Sequence, residues 1–246
     1  MPSDTELVPI SSSILSSYGG KPLLQVGEAG RAPRDVADAL LALCTELPWL
    51  RITELFRTTA TQALARKKYE TWVAAGKPTG ASFDAKTMKA AFVAKPGKSM
   101  HNGGRAIDVD VNTLKTAYGK EYLDAFWPVA AKHGFTPVIA RPEEGKSESW
   151  HYDMRGCWDL VGDTHGYEIM GLCAALVVGQ AGAWQGDVRL AQALLLRAGY
   201  DIGEPDGDFG TRSKGAFAAT GIKWGPTTAE GLAALRALPA ATTWKV

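Results

Sequence analysis

The sequence predicts an α+β domain with a small antiparallel sheet and flanking helices, followed by a small all-α three-helix domain. Three observations carry this. Helical periodicities and short strand-like runs are mixed from about residue 30 to residue 158. Beyond Trp158 the pattern turns helical, with three short amphipathic stretches around a Gly/Asp-rich turn. The chain has 246 residues, 46% hydrophobic and 22% charged, enough for one large or two modest cores. Segments 1–160 and 166–246 are assigned to the two domains.

The elements follow in order. Residues 34–47 place Val36, Leu40, Leu43 and Leu47 on one helical face. "PWLRITELFR" is a short strand. Residues 59–76 form a helix with a stop at Gly76. Residues 77–98, rich in Lys, Pro, Gly and Ser, read as a long loop with a helical turn near Thr87–Ala91; loops of that length are often functional rims. "AIDVDV", residues 106–111, alternates as a strand, with Ala106, Asp108 and Asp110 on one face and Ile107, Val109 and Val111 on the other. Residues 119–135 are a helix ending at His133-Gly134, and "FTPVIA" and "SWHYDM" are strands. The polar "DLVGDTHG" marks the domain boundary near 159–168, and a helix from Tyr167 to Val178 opens the second domain. Three helices then follow: one begun by Asp187, one N-capped by Thr211, and "TTAEGLAALRAL".

Bulk properties exclude several functions. A net charge of +1 gives no basic field to neutralise phosphates, so no nucleic-acid partner is expected. The start, "MPSDTELVPISSS", shows no secretory signal. The longest apolar run, around Ile169–Val178, is about half of the ~20 residues a membrane span needs, so no stable membrane insertion is expected. Cys44, Cys157 and Cys173 form no C-x-x-C pair and read as free thiols, with a Cys157–Cys173 bridge as the alternative. No feature sets an oligomeric state, and a monomer is expected.

The chemistry gathers on two stretches. "SMHNGGRAIDVDV" sets His101 before two glycines and Asp108; "SESWHYDM" sets Glu148 three residues before His151. Two imidazoles and a carboxylate suit a catalytic zinc, because three protein ligands leave one tetrahedral position open. The bound ion brings the pKa of a water to about 7. A further carboxylate must then take the water's proton and pass it on, and Glu148 is the candidate. Gly103 and Gly104 allow a tight turn between the first two ligands. Asp110 shares the face of Asp108 and is either a supporting partner or structural.

Ser99, His101, Gly104, Ala106 and Asp108 match S-x-H-x-x-G-x-A-x-D, and Glu148, Trp150 and His151 match E-x-W-H. On these motifs, residues 35–158 resemble the zinc D-alanyl-D-alanine carboxypeptidase and L-alanoyl-D-glutamate peptidase superfamily, which cuts peptidoglycan stem peptides. "LFRTTATQ" resembles that superfamily's aromatic-Arg-Ser-x-x-x-Gln segment through Phe56, Arg57 and Gln62, with Thr58 in the serine's place. The resemblance implies Zn2+ on His101, Asp108 and His151, catalysis by Glu148 and Arg57, and substrate contacts from Arg57, Gln62, Ser99 and Trp150. Residues 188–222, with the D-G-x-F-G turn at 206–210, resemble a three-helix peptidoglycan-binding module; Ala191-Gln192 replaces its usual Leu-Gln, and the Phe-Gln after its second helix is missing.

Peptidoglycan is therefore the expected partner. A wall-binding module without a secretory signal implies a phage endolysin, made in the host cytoplasm and acting on the wall after membrane permeabilisation. A bacterial D-alanyl-D-alanine carboxypeptidase is the alternative. A non-haem iron oxygenase also uses two histidines and an acid, but usually as H-x-D, whereas six residues separate His101 from Asp108 here. Asp206 and Asp208 fail the EF-hand pattern and read as a tight turn. His133 and His165 read as structural; Trp184 and Trp224 are either core or wall contacts.

Overall fold

The computed structural model describes residues 4–10, 30–145, 148–181 and 186–245. The first part holds strand β1 (Leu7–Pro9), β2 (Arg31–Pro33), helix α1 (Arg34–Glu46), β3 (Ile52–Glu54), α2 (Thr59–Ala74), β4 (Ala106–Val109), α3 (Val111–Tyr118), α4 (Tyr122–Lys132), β5 (Phe135–Pro137) and β6 (His151–Met154). The second holds α5 (Asp159–His165), α6 (Tyr167–Val177), α7 (Gly186–Arg197), α8 (Thr211–Ala219) and α9 (Ala229–Ala237). The coarse class is α+β with small antiparallel sheets. β1 pairs with β2, and a four-stranded sheet runs β3-β4-β6-β5 with every neighbour antiparallel.

Period-2 alternation in the two central strands separates two cores. Ile107, Val109 and Tyr152 face one cluster, with Val36, Leu40 and Leu43 of α1 and Phe126 of α4. Ala106 faces the other, with Met100, Trp158 and the α6 and α7 side chains. The polar members of the strands, Asp108, His151 and Asp153, therefore lie on the side of the second cluster.

Several expectations need correction. The strand stops at Val109; Val111 opens a helix absent from the sequence expectation. The cause is Asp110, whose carboxylate accepts from Asn112 N–H at 2.9 Å as the N-cap of α3. The polar stretch 159–166 contains helix α5. Thr211 is the first residue of α8, whose N-cap is Gly210. In the long loop one helical turn lies at Gly80–Ser82 and another spans 84–88, overlapping the start of the expected one, with Met88 N–H donating to Asp84 C=O and the Asp84 carboxylate accepting from Lys86 N–H and the Thr87 hydroxyl. α2 ends as expected, with Gly76 at φ 80°.

Helix α6 is apolar on every face, and Met170–Val177 are all buried. It packs between α7 and a 3₁₀ turn at Met100–Gly103. A Cβ on Gly103 would stand 2.6 Å from Ala174 Cβ, so only glycine admits this approach. The second core is thus continuous across the expected boundary at 159–168. Gln192 of α7 ties down the Gly/Asp turn, donating to Asp206 and accepting from Gly207 N–H, both at 2.9 Å. The three cysteines are free thiols. Among the described residues no helix is long and apolar enough to cross a membrane. Trp184 lies outside the described residues, and Trp224 is exposed.

Candidate metal centre

The sheet register places two of the three candidate ligands. Asp108 of β4 and His151 of β6 are direct cross-strand partners. The third, His101, comes from the Met100–Gly103 turn. Ser99 N-caps that turn, its hydroxyl accepting from His101 N–H at 3.3 Å, and Gly104 closes it at φ 65°. The turn is tied to the start of α2: Arg57 N–H donates to His101 C=O at 3.0 Å, and Asn102 Nδ2 donates to Arg57 C=O at 2.6 Å.

Three donor atoms then converge. His101 Nε2 is 3.1 Å from His151 Nδ1 and 3.2 Å from Asp108 Oδ1, and His151 Nδ1 is 3.0 Å from the same oxygen. All three residues are buried, and together they could hold a metal ion. Ligands about 2.0–2.2 Å from one ion stand roughly 3.3 Å apart in a tetrahedral site. The observed triangle is close to one face of such a site.

The far side of each imidazole decides which nitrogen is free. His101 Nδ1 lies 2.7 Å from Leu55 C=O, an oxygen that can only accept, so this nitrogen carries the proton and Nε2 offers its lone pair. His151 Nε2 lies 2.9 Å from Asp153 Oδ1, which likewise directs the proton outward and leaves Nδ1 facing inward. This acid–imidazole–ion chain is the usual support for a metal-bound histidine. Asp153 is fully buried, and its Oδ2 has no hydrogen-bond partner.

Charge favours a cation at the centre. Glu54, Asp108 and Glu148 line the cavity with Arg57 and Lys89, and Asp153 is buried behind His151, so four carboxylates stand against two fixed cations among the described residues. Burial alone would raise the Asp108 pKa, but His101 and His151 together hold it well below the usual carboxylate range. Burial alone would lower the His151 pKa, but the Asp153 charge and the hydrogen bonds to Asp108 and Asp153 hold it well above its ordinary value.

Around the donors lies a cavity of about 330 Å³ lined by all eight residues singled out in the sequence: Arg57, Gln62, Ser99, His101, Asp108, Glu148, Trp150 and His151. A register irregularity between Ile52 and Glu54 lets Ile52 pair with Val109 in the core while Glu54 pairs with Asp108 beside the site. Glu54 then grips Arg57 through two hydrogen bonds, at 2.6 Å to Nε and a shorter one to Nη2. Arg57 Nη1 donates to Gln62 Oε1 at 2.7 Å, and Gln62 Nε2 donates to Ala94 C=O. One N–H on each terminal nitrogen of Arg57 is left without a partner among the described residues. Burial opposes the Glu54 charge, yet Arg57 lowers its pKa overall. Ser99 acts locally as a cap, and Trp150 is exposed at the rim.

Sequence reasoning missed three residues here: Asp153, Glu54 and Tyr167. Asp153 follows His151 by two in a strand, so period 2 places both on one face, a signal present in "WHYD". Tyr167 has no local signal; its hydroxyl reaches 3.4 Å from His151 Nε2 from the start of α6. Burial first, then the charges of Asp153 and Glu148, raise its pKa well above the ordinary value. Asp110 does not support the ligands, being the α3 cap. His133 and His165 lie within hydrogen-bond distance of Glu46 and Asp201, outside the cavity. No protein-family model, curated protein or solved structure matches this chain, and the chemistry rests on the side chains themselves.

Proposed function

We propose that this chain is a zinc-dependent peptidase that hydrolyses peptidoglycan stem or cross-link peptides, acting as a phage endolysin. The observation that carries this is the convergence of His101 Nε2, His151 Nδ1 and Asp108 Oδ1 within 3.0–3.2 Å, in a cavity that also holds Arg57 and Glu148. Nitrogen and carboxylate donors in a three-ligand set suit zinc with an open position. A zinc ion there supplies Lewis acidity and a water acidic enough to react at neutral pH.

The chain's own residues do the rest. Asp108 and the two histidines would hold the ion, and Leu55 C=O and Asp153 keep the imidazole lone pairs aimed at its position. Glu148, half-buried in the cavity wall, takes a proton from the attacking water and delivers it to the departing amine nitrogen. Arg57, held rigid by Glu54 and Gln62, turns its two unpartnered N–H groups to a substrate carbonyl or carboxylate. The helical region around α7–α9 supplies the wall-binding surface, keeping the cavity near a polymeric substrate.

The test is mass spectrometry of products released from purified sacculi by the zinc-loaded protein, its EDTA-treated form and His101→Ala and His151→Ala variants. New amino and carboxyl termini in stem peptides, lost with EDTA and with either variant, are expected. Release of a terminal D-alanine alone would favour the carboxypeptidase alternative. Stoichiometric metal and full activity in both histidine variants would overturn the ligand assignment.

A further inference from the structure

We propose that Tyr167, at the start of α6, is a further catalytic residue of this site and donates its hydroxyl hydrogen to the oxygen of the scissile carbonyl. This rests on the peptidase assignment above. The observations are geometric. Tyr167 lines the same cavity as Arg57, Glu148 and the three ligands. It is half-buried, with its hydroxyl 3.4 Å from His151 Nε2.

Hydrogen-bond accounting gives the direction of the hydroxyl. His151 Nε2 carries a hydrogen, because it bonds to the carboxylate of Asp153 at 2.9 Å. It therefore cannot accept from the phenol. Asp153 Oδ2 has no hydrogen-bond partner, so it does not take the phenol's hydrogen. Among the described residues the hydroxyl hydrogen has no acceptor, and the open side of Tyr167 is the cavity. A donor whose hydrogen is unused in the resting site is available for charge that develops only during reaction.

The position is rigid. Gly171 of α6 sits so close to Lys98 and Ser99 that a Cβ would come within 3.0 Å of the Lys98 backbone, and Gly103 abuts Ala174. Tyr167 thus rides on a helix locked to the turn that carries His101. Water oxygen bonds to the carbonyl carbon, the C=O π pair moves onto the carbonyl oxygen, and the water's proton goes to Glu148. Tyr167 and Arg57 hydrogen-bond that oxygen without giving up a proton. The pair returns as the C–N bond breaks, and Glu148 protonates the leaving nitrogen.

The experiment compares full-length wild type and Tyr167→Phe. Zinc content and thermal midpoint serve as controls, with steady-state hydrolysis of a soluble stem peptide and calorimetric binding of its phosphinate mimic as readouts. Phenylalanine keeps the packing and removes only the hydroxyl. The expected result is unchanged zinc and melting, a kcat lower by about 10²-fold with KM little changed, and phosphinate binding weakened by a similar factor. Wild-type kcat and phosphinate affinity in the Phe variant would overturn the role of Tyr167 and leave the peptidase assignment standing. Zinc-loaded wild type that leaves every stem peptide intact would overturn both.

Discussion

Asp153→Asn isolates the residue that sets the His151 lone pair. Asp153 Oδ1 holds His151 Nε2–H at 2.9 Å, and the acid is fully buried. The amide is nearly isosteric and its oxygen still accepts, so the imidazole orientation survives. What is lost is the charge. A hydrogen bond to a charged group contributes about 1.5–3 kcal/mol and a neutral one about 0.5–1.5. The difference, about 1–2 kcal/mol, corresponds to roughly 5- to 30-fold in affinity. Loss of a carboxylate behind a metal-bound histidine typically costs about 10- to 100-fold, which overlaps this range. The assay is competition for zinc against a chromophoric chelator at fixed pH, with melts in EDTA to confirm the fold. A dissociation constant within twofold of wild type would refute the claim that Asp153 supports the metal through His151.

The remaining predictions bear on other parts of the centre. Glu148→Gln should keep one zinc per chain yet lower kcat by about 10²–10⁴-fold, read by metal analysis and steady-state rates; near-normal turnover would remove Glu148 from the mechanism. In EDTA the melting temperature should depend on pH in two directions. His151, raised above 6.5, adds stability that is lost as pH climbs from there through its folded value, and Asp108, held below 3.8, adds stability lost as pH falls beneath that figure. Metal-free protein should therefore melt highest between those limits, while saturating zinc should remove the alkaline decline; a flat alkaline profile in EDTA would contradict the charge assignment. Gly103→Ala should destabilise the fold by about 1–3 kcal/mol and weaken zinc binding, because its Cβ meets Ala174 Cβ at 2.6 Å. Ala174→Gly should restore part of both, as measured by denaturant titration and chelator competition.

By itself the sequence determined what is local. Helical spacing gave the buried Val36-Leu40-Leu43 face of α1, and three short motifs named the three donors, Glu148 and Arg57, all of which the fold brings into one cavity. These features are legible because a turn or a strand sets them over a few residues. The end of β4 was misjudged for a local reason of a different kind: Asp110 fits a strand pattern and also a cap, and its hydrogen bond to Asn112 N–H decides for the helix. Tertiary structure alone decided that Asp108 stands opposite His151 and that Leu55 C=O orients His101. It also brought α6 against the His101 turn, so that the cavity takes Tyr167 from beyond the expected boundary. Those choices rest on cross-strand register and on the close approach of Gly103 to Ala174, contacts between residues dozens of positions apart. A one-residue change of register would turn each side chain to the opposite face, and nothing in the local pattern of a four-residue strand specifies its partner.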